Sequence, residues 1–276
     1  MMPLVRQFLP ALLLALVLPV QAQDREPVEI PEDLLDDPHV REELAINEFT
    51  APSISKLFEQ LEALSPLPVK EVERKMPVQM PLDRADLALE IGFLIADGFL
   101  TVQSGNLDRV EPLAKDLSRY GKGLGAGDRV NRHAAALLES AKDEDIDKLK
   151  KELAATQKDV EIELVHLRDA DLAHLISLGG WIRALEVASV AVTKSYTPER
   201  AKRLMREDIA DYYEYSVGSL EPRISERPTF VQMRDILAGL RTEMTLEEGA
   251  EVTKERVDSI RGASAELVKL ALERQQ

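Results

Sequence analysis

The chain has 276 residues, no cysteine and a formal net charge of −15 at pH 7, with 50 acidic against 35 basic side chains. This excess of acid argues against binding to nucleic acid or to an anionic lipid surface, because both attract basic proteins. The absence of cysteine excludes disulfides, so the burial of apolar surface must stabilise the fold.

Residues 1–22 have the pattern of a cleaved secretory signal. Arg6 supplies a positive charge, a leucine-rich apolar run follows, and the tripeptide Val-Gln-Ala at 20–22 places small residues at the −3 and −1 positions of a signal-peptidase site. The apolar run is short for a membrane span. We expect an exported protein, periplasmic or secreted, that is soluble after cleavage before Gln23. The alternative is an uncleaved anchor at the same residues.

The rest of the chain is predicted to be an acidic leader followed by one domain. Residues 23–37 are acidic, contain two prolines and are expected to be flexible. Residues 38–276 are expected to form a single all-helical domain, which is long enough to bury a substantial core. Four prolines between residues 65 and 82 predict an extended loop that lies against the body of this domain.

Helical spacing of apolar residues predicts the fold class. Apolar residues recur at this spacing, and we find no strand-like alternation of polar and apolar residues. Capping residues and prolines, such as Thr197-Pro198, divide the chain into about nine or ten helices. The most apolar helices cover 83–104 and about 171–195. We expect an all-α fold, an irregular helical bundle without a β-sheet, packed around the helix at about 171–195.

The helix at about 171–195 is long and apolar enough to cross a bilayer. However, His174, Arg183 and Glu186 would each be costly at the centre of the lipid, and the flanks lack a cluster of positive charge. A buried helix of a soluble protein is therefore the favoured interpretation. The pair Gly179-Gly180 weakens this helix and indicates the close approach of another helix backbone.

Two loops contain features that predict helix ends. The segment GKGLGAGD at 121–128 has the composition of a phosphate-binding loop, but no strand precedes it and its glycine spacing does not match one. We expect a glycine at 121 or 123 to end one helix and Asp128 to cap the next. Thr245 and Glu248 predict a capping box at the start of the last helix.

Four charged residues in the two apolar helices form a candidate binding site: Glu90, Asp97, Arg183 and Glu186. The spacing places Glu90 and Asp97 on one helix face, and Arg183 and Glu186 on another. Charged groups are rarely buried unless they are paired or functional. Either these residues are structural ion pairs, with Arg183 buried against Glu186, Glu90 or Asp97, or they line a polar pocket in the core.

Two short motifs contain the candidate metal ligands. Glu163 and His166 are three residues apart, as are Asp171 and His174, so the members of each pair can contact the same ion. The Glu-x-x-His spacing occurs in carboxylate-bridged di-metal bundles, which take such motifs from two helices. A helix break between 168 and 171 would permit this arrangement. The alternative is that Glu163 and His166 lie on a solvent-exposed helix face and that Asp171 caps the helix that contains His174.

These features together predict an exported acidic helical protein of the bacterial envelope that binds a protein partner or a small molecule. We expect no cofactor, no nucleic-acid partner and no stable membrane insertion after signal cleavage. The alternative hypothesis is a carboxylate/histidine metal-dependent enzyme housed in the helical bundle. The metal content of the purified protein distinguishes the two hypotheses.

Overall fold

A computed structural model describes residues 54–75, 79–247 and 249–273. The predicted signal at 1–22 and the leader at 23–37 lie outside these residues. In the described part the chain is all-helical and contains no strand, which confirms the fold class that helical periodicity predicted. Buried side chains from all the long helices form one contiguous hydrophobic core.

The described residues contain twelve α-helical segments, of which nine are nine residues or longer. In chain order they are α1 (Ile54–Glu62), α2 (Val69–Val72), α3 (Arg84–Gln103), α4 (Val110–Leu124), α5 (Gly127–Lys142), α6 (Ile146–His166), α7 (Ala170–Lys194), α8 (Pro198–Lys202), α9 (Glu207–Ser219), α10 (Pro222–Ser225), α11 (Pro228–Met244) and α12 (Lys254–Leu272). A short 3-10 turn, Leu107–Arg109, precedes α4.

Helix α7 is the centre of the fold. It packs most extensively against α3, and also against α1, α6 and α12. In the described part of the chain, α7 alone has the length and hydropathy of a membrane span, and 83% of its most apolar window is buried inside the protein. The other helices therefore cover it, as predicted for the core helix at about 171–195.

Helices α3 and α7 cross in direct backbone contact. A Cβ atom on Gly179 would lie 2.1 Å from the carbonyl oxygen of Leu89, and one on Gly92 would lie 2.1 Å from that of Ile176. Neither position has room for a methyl group, because real Cβ atoms do not approach a backbone atom so closely. The predicted close approach at Gly179-Gly180 is confirmed, and Gly92 is its counterpart on α3.

The turn between α4 and α5 differs from the prediction for 121–128. Helix α4 continues to Leu124, and Gly125 ends it with a φ of 92°, a left-handed conformation that glycine adopts without steric cost. Because α5 begins at Gly127, Asp128 lies in its first turn and does not cap it. Several glycines in this segment fit the required conformation, so the sequence did not identify which of them ends the helix.

The last helix begins later than predicted. Thr245 follows the end of α11, and α12 begins at Lys254. The side chain of Thr253 caps α12 by accepting a hydrogen bond from the backbone N–H of Arg256, at 3.3 Å. The chain turns between the two threonines at Gly249, whose φ is 79°. The capping box predicted at Thr245 is therefore wrong.

The proline-rich stretch at 65–82 is partly helical. Its described residues are mostly irregular, as predicted, but α2 forms within it. Val72 at the end of α2 is 6% exposed, so this side chain is part of the core. The stretch thus lies against the body of the protein and contributes to the buried cluster around Arg183.

Candidate functional site

Arg183 is the centre of a buried ion-pair cluster between α2, α3 and α7. Its side chain is 1% exposed, and its Nε donates to Oδ1 of Asp97 at 2.7 Å. Nη1 donates to Glu186, and Nη2 donates to the backbone carbonyl of Val72. The predicted burial of Arg183 and its pairing with Asp97 and Glu186 are confirmed.

A second arginine, Arg74, completes the cluster from the segment after α2. Its Nε and Nη2 donate to Oδ2 of Asp97 at 2.9 and 2.7 Å, and its guanidinium carbon lies 4.9 Å from the ring centroid of Phe93. Arg109 pairs with Glu73 and donates to the backbone carbonyl of Arg74 at 3.0 Å. Sequence reasoning missed Arg74 because it lies in an irregular segment without helical periodicity.

The charges of this cluster balance one another. It contains three arginines and three carboxylates, which are Arg74, Arg109, Arg183, Glu73, Asp97 and Glu186. Burial alone would lower the pKa of Arg183, but attraction by Asp97 and Glu186 raises it above its ordinary value. The adjoining cavity is only about 20 Å³, which is room for about one water. The arrangement therefore favours the structural ion-pair interpretation.

Glu90 is the fourth residue of the predicted binding set. Its side chain is buried, with 1% of the residue exposed. It precedes Asp97 by two helical turns, which is about 10 Å along the axis of α3. The structure thus brings Asp97, Arg183 and Glu186 together, whereas Glu90 lies farther along the helix. Ligand binding by this set stays a prediction.

The four predicted metal ligands make separate contacts. Glu163 pairs with Arg129, and Asp171 accepts a hydrogen bond from the backbone N–H of Glu221 at 2.8 Å, so Asp171 does not cap α7. His174 Nδ1 lies 3.0 Å from the hydroxyl of Tyr212, whereas Nε2 of His166 is buried without a hydrogen-bond partner in the described part of the protein. No group of three or more His, Asp or Glu residues suited to one metal ion occurs among residues 54–75, 79–247 and 249–273. Metal binding by these residues stays the alternative hypothesis, which elemental analysis tests.

A histidine that the sequence did not single out bridges α5 and α6. Nδ1 of His133 lies 3.0 Å from Oε2 of Glu152, and Nε2 lies 3.0 Å from Oδ2 of Asp159. The two carboxylates contact opposite edges of the ring, so they do not converge on one ion. We therefore interpret His133 as a structural residue that links α5 to α6.

The tyrosines of α9 have three different environments. Tyr213 is fully buried, with its hydroxyl 2.9 Å from that of Ser177 and its ring centroid 5.0 Å from that of Trp181. Tyr212 is partly buried, and Tyr215 is 74% exposed. Burial raises the pKa of the Tyr213 hydroxyl well above its ordinary value of 10.0. This group therefore stays protonated and has a structural role.

A small apolar cavity lies beside Trp181, the only tryptophan in the chain. Its volume is about 40 Å³, and side chains from α1, α7, α9 and α11 line it. Most of these side chains are apolar, among them Leu57, Leu61, Trp181, Leu185, Ile209 and Met244. The polar residues at the cavity are Gln60, Arg203 and Arg206.

A larger, open cleft lies between the start of α9 and the end of α11. Its volume is about 1130 Å³. Four acidic and three basic residues line it, which are Glu207, Asp208, Asp211, Glu247, Lys202, Arg241 and Arg256. Its apolar lining includes Met205, Met244 and Leu246. Met244 is in the lining of both the cleft and the cavity beside Trp181.

Comparison with known proteins provides no functional assignment. No protein-family model, curated protein or solved structure matches the chain. The function is therefore inferred from the side chains and surfaces described above.

Proposed function

We propose that the protein is a non-enzymatic binding protein of the bacterial envelope, exported by the signal at 1–22 and periplasmic or secreted thereafter. The observation that supports this proposal is the open cleft of about 1130 Å³ between α9 and α11. Small-molecule sites generally enclose most of their ligand. An open cleft with methionines in its lining and a charged rim is better suited to docking a segment of another protein.

The charges around the cleft favour a basic partner. Helix α9 carries four acidic residues and no lysine or arginine, and the whole chain has a net charge of −15. Asp208 pairs with Arg206, and Arg241 pairs with Asp211, whereas Glu207 and Glu247 are exposed on the rim. Complementary charge increases the association rate and selects against acidic partners. The expected partner segment therefore carries lysine or arginine beside apolar side chains.

A pair of defined peptides tests this proposal. A fluorescent peptide of alternating lysine and leucine should bind the mature protein, whereas its counterpart with glutamate in place of lysine should not. The variant Glu207→Lys/Glu247→Lys should weaken binding by about tenfold or more, because both changes place repulsive charge on the rim. Fluorescence anisotropy measures both affinities.

A second double variant controls for total charge. Asp108→Lys/Asp143→Lys makes the same change in net charge at two exposed acids that do not line the cleft. It should bind the basic peptide nearly as well as the wild type. Equal weakening by the two double variants would show that net charge alone attracts the peptide, and the cleft would not be the docking surface.

A further inference from the structure

We infer that the cavity beside Trp181 binds a small anionic amphiphile, namely a carboxylate with a short alkyl chain. This site is separate from the docking cleft, so either proposal can fail without the other. The inference rests on three observations: the apolar wall of the cavity, the cationic groups at its polar side, and the side chain that it shares with the cleft.

The wall of the cavity is suited to an alkyl group. Trp181 is 3% exposed, and Leu61 and Ile209 are 2% and 1% exposed, so these side chains present apolar surface within the core. An apolar cavity offers water few hydrogen bonds and binds apolar groups instead. Its volume of about 40 Å³ corresponds to a few water-sized spheres, which limits the occupant to a short chain.

The polar side of the cavity is cationic. Two arginines and one glutamine lie there, and no carboxylate lines the cavity within the described chain. Arg206 donates two hydrogen bonds to Asp208, at 2.9 and 2.7 Å. Arg203 is exposed and has no carboxylate partner among the residues that the structure describes.

Because no carboxylate of the described chain pairs with Arg203, its guanidinium group is available to an acidic ligand. The planar guanidinium group of Arg203 presents donors in the fork geometry that matches a carboxylate. A ligand whose alkyl chain fills the cavity can place its carboxylate beside this group. The combination therefore selects a short-chain carboxylate over a neutral compound of the same shape.

Met244 provides the adaptable part of the wall. It is 1% exposed and lines both the cavity and the open cleft. An unbranched thioether changes rotamer easily and accommodates ligands of different shape.

The single tryptophan makes binding directly measurable. The mature protein is titrated with 3-methylbutanoate and, in parallel, with 3-methylbutan-1-ol as the neutral analogue. Trp181 fluorescence should change saturably with the carboxylate, and calorimetry should give the same dissociation constant. The alcohol should bind about tenfold more weakly, because it cannot form a charge-assisted hydrogen bond with Arg203.

Three variants locate the ligand. Arg203→Ala should weaken carboxylate binding about tenfold and leave alcohol binding unchanged, because only the charged group is lost. Ala188→Leu, which fills the cavity from α7, should abolish binding of both compounds. Arg132→Ala removes another exposed arginine, which does not line the cavity, and it should behave as the wild type.

Other outcomes would overturn the inference. Equal affinity for the alcohol and the carboxylate would show that the cavity is a packing defect that takes any small apolar group. Unchanged binding in Arg203→Ala or Ala188→Leu would place the carboxylate elsewhere on the protein. No saturable response with the wild type would exclude a short-chain carboxylate as the ligand.

Discussion

Arg183 connects three separate segments through one guanidinium group. Its partners lie on α3, on α7 and at the end of α2, and its own side chain is 1% exposed. A buried ion pair is weak evidence for net stabilisation, because both charges lose hydration. Removal of only one partner is strongly destabilising, because the remaining charges stay in the core without compensation.

The Arg183→Ala variant should therefore be strongly destabilised. Asp97 keeps Arg74, but Glu186 and the carbonyl of Val72 lose their buried donor. We expect the free energy of unfolding to fall by about 3–5 kcal/mol, measured by urea denaturation. Arg223→Ala removes an exposed arginine that pairs with Glu221 and should change little. Equal effects of the two variants would show that the Arg183 cluster contributes nothing specific.

Tyr213 gives the protein a predictable sensitivity to alkali. Burial raises the pKa of its hydroxyl above 10.0, so the folded state binds a proton that the unfolded state releases at high pH. This contribution to stability is fully present below the unfolded pKa and is lost as pH rises above it toward the folded pKa. The unfolding free energy should therefore decrease above about pH 10.

The comparison of two phenylalanine variants isolates this effect. Tyr213→Phe should show a shallower loss of stability above about pH 10 than the wild type, by up to about 1.4 kcal/mol per pH unit. Tyr215→Phe, at a residue that is 74% exposed, should keep the slope of the wild type. Urea denaturation at a series of pH values provides the measurement. Identical slopes in all three proteins would mean that Tyr213 ionises as easily in the folded state as in the unfolded state.

The crossing of α3 and α7 determines where glycine is required. A Cβ on Gly179 would overlap the backbone of Leu89, whereas one on Gly180 would lie 3.3 Å from Cδ1 of Ile54, the flexible end of a side chain. Alanine also favours the helical conformation over glycine by about 1 kcal/mol. The two adjacent positions should therefore respond differently to the same substitution.

Gly179→Ala should lower the free energy of unfolding by about 1–3 kcal/mol or more, because the helices must move apart. Gly180→Ala should be close to neutral, since the side chain of Ile54 can adjust and the helix gains propensity. Thermal unfolding of both variants tests the pair. If Gly179→Ala matched the stability of the wild type, the backbone contact between α3 and α7 would not exist in solution.

Local signals predicted some helix ends correctly and others incorrectly. Thr197 with Pro198 begins α8, as their residue types indicated. The ends at Gly125 and Thr253 were not predicted. In both places the sequence offers several residues of the right type, so residue type alone does not identify the one that is used.

At the scale of the whole molecule, the fold class followed from helical periodicity, but the binding surfaces did not. Charged residues inside apolar helices identified Arg183, Asp97 and Glu186, because such groups require partners. The cavity beside Trp181 forms where α1, α7, α9 and α11 pack together. In the sequence, its apolar residues cannot be distinguished from other core residues. No local pattern in the sequence predicts that these four helices pack together.

Export is the prediction that concerns the whole chain. When the full sequence is expressed in a bacterial host, intact mass should show a soluble periplasmic or secreted protein that begins at Gln23. Ala22→Arg should block this cleavage, because the −1 position requires a small residue. Recovery of wild-type protein with residues 1–22 in the membrane fraction would make it an anchored protein and would contradict the proposed export.

Among the residues that the structure describes, Met244 is the one that lines both the cavity beside Trp181 and the docking cleft. An occupant that displaces this side chain from one space alters the wall of the other. Thermodynamic linkage then requires reciprocity: whatever factor a small carboxylate applies to the affinity for a partner protein, the partner applies to the affinity for the carboxylate. One methionine side chain would in this way couple the two binding events.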